Sequence, residues 1–273
     1  MSYPTEIANE LAAAGPGQFH KFEGYRSRFL PAERDVIVYV PGIYDRRPDL
    51  RFPVIYMQDG QNLFDPATSF GGVPWRMGET ADRLIAAGSI QPIIIVGIYN
   101  TGKQRLREYT PSRAPKQGGG GANRYRRMLI EEVKPFIESR FRTLSGPQHT
   151  AVGGSSLGGL LSLYIGLRFP KVFGKVAALS PSIWWNRRWI VDFASRSRLK
   201  SRPRIWLDSG TQEGGHTVDD TRKLRDVLLK KGWREGQGLL YLEVQGGQHN
   251  EAAWADRVGP FLQFLFPSGE PAV

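Results

Sequence analysis

The spacing Gly154-x-Ser156-x-Gly158, inside the run Gly153-Gly154-Ser155-Ser156-Leu157-Gly158-Gly159, fits a sharp corner between a strand and a helix. Backbones approach too closely at such a corner for a β-carbon, so glycines stand two residues to either side of the serine. The corner presents the serine hydroxyl as a nucleophile, which makes Ser156 the candidate. An oxyanion formed beside it lies near free N–H groups and the positive end of the helix dipole, and the Leu157 N–H is the first candidate donor. The plainer reading is a glycine-rich turn whose serine caps a helix. Ser155 fits less well, because its flanking pair would be Gly153 and Leu157.

A serine hydroxyl of this kind needs a base, and an imidazole is suited to taking its proton and returning it to a leaving alcohol. The chain has four histidines. His249, in Gly246-Gly247-Gln248-His249-Asn250, follows the last strand-like segment and is the candidate base. His149 reads as part of the strand before Ser156, packed in the core; His20 reads as an ordinary strand residue, and His216 as a surface or substrate-contacting one. A carboxylate must orient the base. Glu213 follows a strand directly and is preferred, while Asp208, Asp219 and Asp220 compete; Asp208 can point into the sheet, and the other two suit the first turn of a helix.

Residues 18–30, 34–40, 53–58, 93–98, 175–179, 204–208 and 239–244 have the β-branched or alternating character of strands, as does the run before Ser156. Val36, Val38 and Val40 share one face, and Ile93 to Ile98 has no polar face, which suits a central strand covered on both sides. Helical spacing marks 77–87, 123–141, 160–167, the segment containing Val218, Leu224, Val227 and Leu228, and a closing helix over 254–266. This alternation predicts an α/β fold with a mainly parallel sheet and helices on both faces. Ligands then bind beyond the carboxyl ends of the strands, and the order serine, acid, histidine at those ends is that of an α/β hydrolase. By the same logic the Gln61 N–H, in the turn Asp59-Gly60-Gln61-Asn62, is the second oxyanion candidate, with a simple turn as the alternative. Asn100 to Gly121 reads as irregular, and its four glycines as a flexible loop, since no Lys-Ser/Thr completes a phosphate-binding loop.

At 273 residues, 40% hydrophobic and 23% charged, the chain suits a single α/β domain over 1–273, with about 17 residues at the start and 6 at the end peripheral. No apolar run is long enough to span a bilayer. The first residues lack a basic stretch followed by an apolar core, so a cytoplasmic enzyme is expected. Without cysteine there are no disulfides or thiolate nucleophiles. The net charge of +11 comes from scattered residues, the densest groups being Arg124-Arg126-Arg127, Arg187-Arg188 and Arg196-Arg198-Lys200-Arg202, with no recognisable nucleic-acid motif around them. Neither a metal-ligand spacing nor a cofactor motif is present, so no metal and no cofactor are expected.

DGQNLFD, GGSSLGG, SPSIWW, DSGTQEG and GGQHNEAAW together resemble blocks of the esterase D (Putative esterase) family of α/β hydrolases, over about residues 35 to 266. That family includes feruloyl and acetyl esterases, siderophore esterases and mycolyltransferases. The resemblance implies a Ser156, His249 and Glu213 triad, with oxyanion donors at Gln61 and Leu157. It also implies substrate contacts from Arg107 and Tyr109, in Arg107-Glu108-Tyr109-Thr110-Pro111, and from Trp184 and Trp185. Glu213 stands where many members have Asp. The reaction implied is serine-dependent hydrolysis of a small sugar, aromatic-acyl or siderophore-type ester. An acyltransferase using the same residues, or a non-catalytic binding protein on this scaffold, are the alternatives. Trp75 joins Trp184 and Trp185 as a residue able to stack on a sugar or aromatic acyl group.

Overall fold

A computed structural model describes residues 5–198 and 201–269. Lys200 of the basic group and the outermost residues of both expected peripheral ends lie outside this set. An eight-stranded sheet is assembled from β1 (Gln18–Tyr25), β2 (Arg34–Val40), β3 (Val54–Gln58), β4 (Ile94–Ile98), β7 (Thr150–Ser155), β8 (Lys175–Leu179), β9 (Arg204–Gly210) and β10 (Leu239–Val244), after a small hairpin of β5 (Arg113–Ala114) and β6 (Gly118–Gly119) is set apart. Its order is β1-β2-β4-β3-β7-β8-β9-β10. The first two pairings, β1 with β2 and β2 with β4, are antiparallel, and all the others are parallel.

Every residue of β3, β4, β7 and β8 is buried, as expected of strands with no polar face. Helices cover both faces and complete an α/β-hydrolase architecture. The parallel register has the consequence that matters for function: the chain leaves β3, β7, β8, β9 and β10 at one rim of the sheet. Loops after these strands therefore meet although they are far apart in sequence. Among the described residues, no helix is long and apolar enough to cross a membrane.

Several local expectations are corrected. The first strand stops at Tyr25, after a register shift, and does not reach residue 30. His149 lies in the 3₁₀ turn Pro147–His149 ahead of β7 and is half-buried, because the strand starts only at Thr150. The segment from Asn100 to Gly121 is more regular than its composition suggests: it contains the helix Arg105–Tyr109 and the β5–β6 hairpin, whose second strand is made of two of the four glycines. Backbone pairing compensates there for missing side chains. The helical run ahead of β7 extends from Ala122 through a π-wound turn, Leu129–Val133, to Glu138, leaving Phe141 beyond it. The closing helix is divided into Glu251–Ala255 and Val258–Leu265, and Arg257, at the break, is buried.

Candidate active site

Ser156 stands between β7 and the helix Leu157–Arg168, with φ 55° and ψ −121°, a conformation that L-residues rarely adopt. Its N–H donates to the Leu179 carbonyl at 3.0 Å and its own carbonyl accepts from the Ser182 N–H at 2.9 Å, so the corner is pinned from both sides. A β-carbon on Gly154 would lie 2.9 Å from the Gly158 carbonyl carbon, which is the strand–helix approach that the motif implied. The first N–H groups of this helix have no intrahelical acceptor. Leu157 supplies the first of them.

His249 Nε2 lies 2.9 Å from Ser156 Oγ, and His249 Nδ1 lies 3.0 Å from Glu213 Oε2. The other Glu213 oxygen, Oε1, accepts from the Gly210 N–H at 2.6 Å and from the Ser180 hydroxyl. Burial pushes the Glu213 carboxyl up, but hydrogen bonds from His249, Ser180 and Gly210 outweigh it and hold the group below the usual glutamate value. This fixes the sign of a pH effect. A carboxyl depressed in the folded state stabilises the fold at neutral pH, and that contribution disappears as pH falls through the folded value, below about 4.5. Replacing Glu213 with Gln is expected to flatten the loss of stability in that acid window by up to about 1.4 kcal/mol per pH unit, measured by urea unfolding at successive pH values.

The rival acids are placed elsewhere. Asp208 is fully buried and accepts from Arg257 Nη1 at 2.6 Å, Trp206 Nε1 at 2.6 Å and the Ser180 N–H at 3.0 Å. Asp220 is buried against Arg188 at 2.5 Å, and Asp219 is an exposed first-turn residue 3.5 Å from Arg222.

The turn after β3 is held open by Asp59, at φ 56°, whose N–H donates to the Tyr109 hydroxyl at 3.2 Å. Gln61 follows in the 3₁₀ turn Gly60–Asn62 and lines a cleft of about 660 Å³ together with Ser156, His249, Arg105, Glu251 and Trp254. A β-carbon on Gly60 would run into the backbone of Gly97 and Ile98 in β4. Gly60→Ala is therefore expected to destabilise the fold by about 1–3 kcal/mol, read from the urea midpoint, and to displace the Gln61 N–H.

Five residues drawn in by resemblance or by type do not reach this cleft. Tyr109 is fully buried beneath Asp59. Arg107 lines a different cavity, with Arg26, Arg28 and Arg124. Trp185 is 1% exposed and spends its indole N–H on the Ser112 carbonyl at 2.9 Å, and Trp75 is also in the core, donating to Glu251 Oε2 at 2.9 Å. Trp184 is 51% exposed, but it borders a smaller groove with Arg188 and His216.

Other residues take the places beside Ser156. Arg105 makes two bonds to the Asp59 carboxylate, at 2.8 and 2.7 Å. Burial works against the Arg105 charge, and Asp59 more than offsets it, raising the guanidinium above its ordinary value. Glu251 accepts from Asn62 Nδ2 at 2.8 Å, tying the histidine loop to the Gln61 turn, and burial raises its carboxyl above the usual range. Phe70, 79% exposed, and Val73 form an apolar lip. Glu251 lies inside the GGQHNEAAW block and so could have been found there. Arg105 had no signal beyond its neighbour Arg107.

Residues 27–263 match the family model described as Putative esterase. The chain belongs to this esterase family. It is a carboxylic ester hydrolase. The ferri-bacillibactin esterase BesA of Bacillus subtilis is 30% identical to this esterase over 225 residues, covering 74% of this chain and 75% of that protein. The iron(III) enterobactin esterase of Dickeya dadantii is 30% identical over 263 residues, covering 90% of this chain and 55% of that protein. The crystal structure of the BES protein from Bacillus cereus superposes on the esterase with a TM-score of 0.73 at 24% identity, covering 91% and 94% of the two chains, and so shares its fold.

Proposed function

We propose that this esterase acts through Ser156 as nucleophile, His249 as general base and Glu213 as the acid that orients it, with the Leu157 and Gln61 N–H groups stabilising the oxyanion. The continuous chain of contacts from Ser156 Oγ through the imidazole to Glu213, at 2.9 and 3.0 Å, carries this reading. His249 Nε2 takes the hydroxyl proton as Ser156 Oγ bonds to the ester carbonyl carbon. Collapse of the tetrahedral intermediate breaks the C–O bond to the alcohol, which leaves with that proton. Water then attacks the acyl-serine with His249 again as base, releasing the acid and restoring the hydroxyl.

The proposed substrates are siderophore-type esters with aromatic acyl groups. The relatives named as siderophore esterases support this, and so does an open cleft that sets the apolar lip of Phe70 and Val73 and the ring of Trp254 near the cation of Arg105. Such a wall suits an aromatic ring with electron-rich oxygens. A fluorophosphonate probe should label the Ser156 peptide, and a catecholate trilactone should be cleaved with higher kcat/KM than feruloyl or acetyl-sugar esters. Absence of labelling would remove the triad reading; a preference for feruloyl or acetyl-sugar esters would remove the substrate reading alone.

A further inference from the structure

Glu213 sits on a loop, and its carboxylate is contacted by the Gly210 N–H at the end of β9, the Ser180 hydroxyl after β8 and His249 after β10. Ser180, the residue after β8, has φ 42°. Its N–H is directed at both the backbone oxygen and the Oδ1 atom of Asp208, at 3.1 and 3.0 Å. The Ser180 hydroxyl accepts from Trp254 Nε1 at 3.0 Å and from Arg257 Nη1 at 2.7 Å. With both lone pairs occupied, its single proton has one remaining direction, towards Glu213 Oε1. Only Glu213 Oε2 is left to face His249.

We propose that Ser180, Arg257 and Asp208 form a buried positioning network that orients the Glu213 carboxylate and sets how much of its charge acts on His249, an inference that rests on the triad reading above. Arg257 is shared between two carboxylates, with Nη1 at 2.6 Å from Asp208 Oδ1 and Nη2 at 3.6 Å from Glu213 Oε1. Burial raises the Asp208 carboxyl above its ordinary value, while Arg257, Trp206 and the Ser180 N–H, all donors, favour its ionised form. Asp208 thus absorbs much of the guanidinium charge and leaves Glu213 negative towards the imidazole. Simple stabilisation does not account for the arginine. Among the described residues its Nε and Nη2 are buried without hydrogen-bond acceptors, and replacing both members of such an ion pair with apolar side chains is often neutral for stability. Trp254 joins the two halves, since the ring that donates to Ser180 also packs edge-on against His249 at 4.9 Å.

The charged groups around His249 are Glu213 at its Nδ1, Glu251 two residues on, the Asp59–Arg105 pair lining the same cleft, and Arg257 with Asp208 behind Glu213. Altering the last two should change the acid limb of the pH–rate profile in opposite senses. Asp208→Asn leaves the Arg257 charge uncompensated, disfavours the imidazolium and shifts the limb to lower pH. Arg257→Met removes that charge and shifts it to higher pH. Each shift should be about 0.5–1 pH unit with KM within about twofold, and Arg257→Lys should restore most of the wild-type profile. Ser180→Ala should lower kcat about 10–100-fold at unchanged KM. The profiles are measured on a p-nitrophenyl ester with the full chain, each variant checked by circular dichroism, beside the wild type and Ser156→Ala. If Arg257→Met does not fold, Asp208→Asn and Ser180→Ala carry the test. Profiles overlaying the wild type, or both charge variants moving the same way, would overturn the network. An inactive wild type, or an active Ser156→Ala, would instead overturn the triad.

Discussion

Ser156→Ala is expected to lower kcat/KM for a p-nitrophenyl ester by about 10⁴–10⁶-fold, which corresponds to roughly 5–8 kcal/mol of lost transition-state stabilisation. The size follows from the covalent catalysis that the proposed mechanism assigns to Ser156. Without Oγ there is no acyl-enzyme, and His249 has no hydroxyl at 2.9 Å to deprotonate. Ser182 offers another hydroxyl, 3.3 Å from Ser156 Oγ, but the oxygen that lies 2.9 Å from His249 Nε2 is that of Ser156. The loss is not one of folding. Ser156 keeps its φ of 55° because of bonds to the Leu179 carbonyl and the Ser182 N–H, which alanine can still make. Ser156→Gly should be equally inactive yet more stable by about 1 kcal/mol, since glycine relieves the positive φ. Initial rates, fluorophosphonate labelling and urea unfolding of both variants check the three statements together. Near-normal hydrolysis by Ser156→Ala would eliminate the serine mechanism.

The sheet and the order of its site residues were legible because they follow from local rules. Alternation and β-branching mark strands, glycines mark corners, and parallel connections bring the strand ends to one rim. Glu213 could be preferred over Asp208, Asp219 and Asp220 but not separated from them, because the difference is one of partners: Asp208 is taken by Arg257 and Trp206, and Asp220 by Arg188. Burial was the harder quantity. Trp75, Trp184 and Trp185 look alike in sequence, and only packing makes two of them core and one exposed. Arg107 and Arg105 are two residues apart on one short helix, a rotation of about 200°, so naming the wrong one selects the opposite face. Arg257 was hidden by apolar periodicity that continues across the break in the closing helix.

His249→Ala is expected to cost about 10⁴–10⁶ in kcat, and Ser156→Ala combined with it should be no slower than either single variant. In the proposed mechanism Ser156 and His249 act as one unit. With the imidazole gone, the serine hydroxyl keeps its proton at neutral pH and the leaving alcohol has no donor, so removing the hydroxyl as well takes away nothing still in use. What remains in all three is the rate given by substrate binding and the N–H groups at the elbow, about 10³-fold above water. Glu213 would lose its imidazole partner but keep the Gly210 N–H and the Ser180 hydroxyl, so the fold should persist. His149→Ala provides the contrast, since that histidine lies in the turn before β7 and its loss should leave kcat within about twofold. Steady-state rates for the two singles and the double decide the matter. Multiplicative losses in the double variant would mean that Ser156 and His249 act independently, which a proton passed directly between them does not allow.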